Sequence, residues 1–109
     1  MLHRRYVVER LTIGDLDVPL RHADVVVAAR AESGRLDWEV VAHTVVPTEV
    51  ARQLHDLTLS CVVGADESDG RLELATFRGP AFLVRAVERA LVFRGDGPLQ
   101  GVDLTGLSG

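Results

Sequence analysis

The side chains able to do chemistry in this 109-residue chain are one cysteine, four histidines and sixteen carboxylates. A thiol is a useful nucleophile when it is exposed beside a positive charge that favours the thiolate. Cys61 instead shares its alternation with Leu57, Leu59 and Val63, which predicts a small apolar residue in the core. His3, His22, His43 and His55 contain no His-x-x-x-His pair and there are no paired cysteines, so their spacing fits no common metal pattern. His43, at the end of a predicted strand, and His55, late in a predicted helix, could approach where the chain folds back. A late-helix histidine is already favoured by the helix dipole.

Acid–base catalysis needs two carboxylates whose surroundings pull their pKa values apart. Asp37 and Glu39 flank Trp38 and are expected to face water. Asp66, Glu67 and Asp69 crowd one loop, but no glutamate follows at the distance a calcium loop of the EF type requires, so a solvated loop is expected. Gly95-x-Gly97 offers the glycines of a phosphate cradle, yet Pro98 removes a backbone donor and the chain has no lysine. A Gly-x-Ser-x-Gly nucleophile motif is also absent. No catalytic, metal or cofactor-binding residue is assigned, no cofactor is expected, and the chain reads as a non-enzyme.

The frame that holds these residues is 47% hydrophobic, 26% charged and 5% aromatic, with a formal net charge of −4. That composition suits one globular domain, expected over residues 1–100, with a mobile tail over 101–109. The one cysteine cannot form an internal disulfide, and no apolar run approaches the roughly 20 residues of a membrane helix. A cytoplasmic location follows as the expectation, with no membrane contact. All twelve basic residues are arginine, a bias that reads as the imprint of a GC-rich genome. Three of them, Arg4, Arg5 and Arg10, lie in the first ten residues, so the rest of the chain is acidic and nucleic-acid binding is disfavoured.

Short runs of Val, Leu, Phe and Thr between turn residues predict an all-β fold. Strands are expected from Arg5 to Ile13, Asp24 to Ala31, Leu36 to Thr44, Leu57 to Val63 and Arg71 to Arg78, with an irregular edge piece from Leu16 to Leu20. The clearest alternation places Leu36, Trp38, Val40 and Ala42 on one face. Residues 24–44 form a hairpin through Glu32-Ser33-Gly34-Arg35, and 57–78 form a second. Gly79-Pro80 is expected to break the second. Val50, Leu54 and Leu57 recur at helical spacing after Pro47, predicting a short α-helix near 47–56. Ala81 to Phe93 reads as two strands turning at Glu88-Arg89, with a helix as the alternative. Phe77-Arg78-Gly79 recurs as Phe93-Arg94-Gly95.

The expected architecture is a small barrel or curled antiparallel sheet of six or seven strands carrying that one helix. The alternative is a five-stranded oligonucleotide/oligosaccharide-binding barrel with a C-terminal helix at 81–93. The functional expectation is a non-catalytic interaction or assembly module that binds a protein partner or a second copy of itself. Val26, Val41, Val62 and Phe77 sit at outward positions where polar residues would be ordinary. With Arg78 and Arg94 they form the expected interaction surface. The other expectations are a small-molecule-binding barrel, lined by Trp38, Val40 and Leu59, and a single-stranded nucleic-acid binder.

Overall fold

A computed structural model describes residues 2–29 and 36–102 as seven strands: β1 (Leu2–Ile13), β2 (Leu16–Val18), β3 (Leu20–Ala29), β4 (Leu36–Thr44), β5 (Leu54–Ala65), β6 (Leu72–Val87) and β7 (Ala90–Gly95). Six of them close into an antiparallel barrel in the order β1-β3-β4-β7-β6-β5, with β5 returning to β1. β2 pairs with the far end of β1, Leu11 opposite Val18. Among the described residues no helix is long and apolar enough to cross a membrane.

Alternation decides what the barrel holds. Leu36, Trp38, Val40 and Ala42 point inward as their period predicts, and the last three are buried. They meet Val25 and Val27 of β3, Leu57, Leu59 and Cys61 of β5, Phe77 and Leu83 of β6, and Leu91 and Phe93 of β7 in one core. Followed outward from Arg5, cross-strand neighbours run Val26, Glu39, Arg94, Phe82 and Leu54. Leu54 lies past the point where Leu57 faces Ile13, the last residue of β1. One circuit thus climbs most of the length of a strand, the steep tilt that closing so few strands requires. A bore this narrow is filled by its own side chains.

The repeated Phe-Arg-Gly has a physical meaning here. Phe77 and Phe93 are buried in the core, Arg78 and Arg94 face water, and Gly79 and Gly95 both back onto the indole of Trp38. A Cβ at Gly95 would lie 2.3 Å from the indole nitrogen, and one at Gly79 would lie 2.8 Å from Cζ2 of the ring. The indole N–H then donates to the Gly97 carbonyl at 2.9 Å. The sole tryptophan is therefore clamped by two glycine backbones against its indole and by its hydrogen bond to the chain that leaves β7.

Two expectations, and the five-stranded alternative with its helix at 81–93, need correction. Residues 47–56 form no helix: 45–53 is an irregular connection and Leu54 to Asp56 join β5 opposite Phe82, Ala81 and Pro80. An isolated helix of two or three turns is marginal in water, whereas the long β6 strand offers those residues a ladder. Ala81 to Phe93 holds no helix either: β6 turns into β7 at Glu88 and Arg89, the two-strand reading, with Glu88 at φ 55°. The five-stranded alternative gives way to six barrel strands. Gly79-Pro80 does not break β6, because the Pro80 carbonyl accepts from the Asp96 N–H, just beyond the last β6–β7 pair, Ala81–Gly95. The missing proline N–H points the same way, off the β5 ladder, so it costs no bond there.

The chain also stays docked past Pro98: Leu99 is buried and Gln100 exchanges backbone hydrogen bonds with Arg78. The expected Glu32–Arg35 turn and residues 103–109 of the expected tail lie outside the described residues.

Candidate functional site

The chemically able side chains are dispersed over the barrel, and several take structural partners. Cys61 is fully buried, and burial pushes its thiol up to about 12 from an ordinary 9.0. His22 and Asp24 sit two apart on the outer face of β3, with Nε2 3.0 Å from Oδ2, and Arg5 Nε lies 3.8 Å from the same oxygen. His43 faces His22 across the β3–β4 ladder, ring centroids 6.4 Å apart and near parallel. His55 donates through Nε2 to the Ala51 carbonyl at 2.7 Å and meets the ring of Phe93 edge-on. His43 and His55 thus take different neighbours, because the segment expected to be a helix is an irregular connection that leads into β5. Among the described residues no group of three or more His, Cys, Asp and Glu side chains is placed to hold a metal ion.

The acidic loop is held by its own backbone. Asp66 accepts from the Ser68 N–H at 2.8 Å and its hydroxyl at 2.6 Å, which holds the Asp66 carboxyl below its usual range. Asp69 accepts from the Arg71 N–H at 2.9 Å. These bonds order the tip of the β5–β6 hairpin and leave its negative charges facing water.

The expected interaction residues divide among three surface places and the core. Val26 and Val41 lie half-buried on the outer face of β3 and β4, and Arg94 joins them because Glu39 faces both Val26 and Arg94. Here His3, Ala28, Asp37, Glu39 and Gly95 border an open groove of about 470 Å³. Arg78 stands apart on β6 between Thr58 and Gln100. Val62 lies on the outer face of the hairpin opposite Leu74. Phe77 is not on the surface at all: it pairs with Leu59 on the inward face, 1% exposed, with Tyr6 packed edge-on 5.1 Å away. Its assignment to an outward position fails because β6 runs unbroken through Pro80, so Phe77 keeps the same parity as Ala81 and Leu83.

A further exposed surface, absent from the sequence reading, lies where the barrel seam stops. β1 and β5 pair only from Ile13–Leu57 to Val8–Cys61. Beyond that point Leu2–Val7 is paired with β3 alone and Val62–Ala65 with β6 alone. Two bulges, at Val8/Arg10 in β1 and Val62/Gly64 in β5, mark the place where the strands part. The β5–β6 hairpin overhangs the barrel there and exposes Val63 (45%), Leu72 (54%) and Leu74 (54%) beside Val7 (44%). Comparison of the chain with protein-family models, curated proteins and solved structures finds no match.

Proposed function

We propose that this barrel is a non-catalytic assembly module that acts by associating with protein through its open seam. The observation that carries the reading is a pair of half-unpaired strands, β1 over Leu2–Val7 and β5 over Val62–Ala65, bordered by four exposed aliphatic side chains. Unpaired strand edges invite another strand, and proteins that do not use them usually cover or charge them. The filled interior supports the same reading, since Trp38, Val40 and Leu59 occupy the space a ligand inside the barrel would need. So does the aromatic inventory: Tyr6, Trp38, Phe77 and Phe93 are committed to the core, which leaves Phe82 to offer an exposed ring for base stacking.

Light scattering coupled to size-exclusion chromatography tests the reading. A mass that rises with concentration above the 11.9 kDa of one chain is expected. A single species of that mass up to high micromolar concentration counts against it. Fluorescence polarisation with labelled single-stranded DNA at low salt is expected to stay flat.

A further inference from the structure

We infer that the partner at this seam is a second copy of the chain, with the β5–β6 tip of each copy laid along the Leu2–Val7 edge of the other. The inference rests on the association reading above and names its partner and register. Three features of the seam point to self-pairing.

The first is the backbone. Continuing the pairing of Val8 with Cys61 would set Val7 against Val62 and Arg4 against Ala65. The same chain stops short of that pairing, so each copy carries one edge of each kind in matching register.

The second is charge. The β1 edge bears Arg4 and Arg5, while the tip bears Asp66, Glu67 and Asp69. Ion pairs among the described residues are Arg5–Asp24, Arg10–Asp17 and His22–Asp24, so neither Arg4 nor the tip carboxylates are engaged in one. A chain that is acidic overall repels its own copies at long range, but a basic edge against an acidic tip attracts them at contact.

The third is closure. Each copy offers one edge and one tip, so two reciprocal contacts about a twofold axis use both and end the assembly at a dimer. Val7, Leu72 and Leu74 then lose water together.

The test uses two single-cysteine additions, Arg4→Cys and Ala65→Cys, both at exposed positions and with the buried Cys61 slow to react. The two full-length variants are mixed, one carrying a mass tag, and treated with a short bis-maleimide. A tagged–untagged cross-link in the mixture, stronger than either variant gives alone, is expected. Charge reversal supplies the second arm. Arg4→Glu and Glu67→Arg are each expected to weaken dimerisation by about three- to tenfold, and the pair together to restore it. Circular dichroism confirms that each variant keeps its strands. A dimer by light scattering that gives no such cross-link and ignores both reversals overturns the seam assignment while leaving the association reading standing. A chain that stays monomeric at every concentration overturns both.

Discussion

Replacing Gly95 by alanine probes the clamp on Trp38, at the point where a glycine backbone comes closest to the ring. The added methyl would sit 2.3 Å, 2.4 Å and 2.5 Å from indole Nε1, Cε2 and Cδ1. The ring cannot retreat far, since it is 3% exposed and the Gly79 backbone crowds it too, at the neighbouring Cζ2. Overpacking of a well-filled core costs about 1–3 kcal/mol. Pushing the indole off the Gly97 carbonyl forfeits a hydrogen bond worth about 0.5–1.5 kcal/mol more. A loss of about 2–4 kcal/mol is expected, which for a domain of this size lowers Tm by roughly 10–25 °C. Thermal and urea unfolding followed by far-ultraviolet circular dichroism measures it. Gly64→Ala is the control, because its methyl meets only the movable Glu73 side chain, at 3.0 Å, and it should cost under about 0.5 kcal/mol. In a Trp38→Phe background the penalty for Gly95→Ala should shrink, because the indole nitrogen it strikes most closely is gone. Equal stability of Gly95→Ala and the parent, or the same penalty in both backgrounds, would refute the clamp.

Other expectations follow from single residues. The Cys61 thiol, held up to about 12 by burial, favours its protonated form in the fold, so this contribution is fully present below about 9 and is lost as pH rises toward 12. Urea midpoints should therefore fall more steeply over that range for the parent than for Cys61→Ala. At pH 8 a thiol reagent should label the folded chain at least about a thousandfold more slowly than the urea-unfolded chain. The buried Thr44 hydroxyl donates to the Val46 carbonyl at 2.6 Å, with the Arg89 carbonyl at 3.3 Å. Thr44→Val leaves those carbonyls without it and should cost about 1–3 kcal/mol in chemical denaturation. Glu88 occupies the left-handed region at φ 55°, so Glu88→Gly should stabilise the β6–β7 turn by up to about 1 kcal/mol, and a destabilised variant would argue against that turn.

How much of this was legible depends on what each residue could report. The β4 alternation named its own buried face, because Trp38, Val40 and Ala42 lie in one uninterrupted strand whose ends match the expected Leu36 and Thr44. The helix expected at 47–56 arose from Val50, Leu54 and Leu57, whose spacing mixes a connecting segment with two faces of one strand: Leu54 points out and Leu57 in. Phe77 falls on the wrong face in the sequence because Gly79-Pro80 is expected to cut β6, and without the strand's continuity its parity cannot be carried over from Leu83. Barrel closure depends on Val8 meeting Cys61, residues far apart in sequence, and no local pattern encodes such a pairing. The same holds for the open seam: Arg4, Val7, Val62 and Glu67 become neighbours of one gap only after the barrel has closed. Cys61 was readable because its alternation with Leu57 and Leu59 already indicated burial, whereas the His43–His55 approach depended on a helix that does not form.

Residue-resolved hydrogen exchange of β1 measures the central claim, a barrel zipped along half of one seam and open along the other. In dilute solution the Val8–Ile13 amides directed at β5 should be protected, while alternate amides of Leu2–Val7, those facing away from β3, should exchange freely. Raising the concentration should slow those same amides as a second copy covers them. Uniform protection along the whole of β1 in the dilute monomer would show that the seam is closed and would contradict the account.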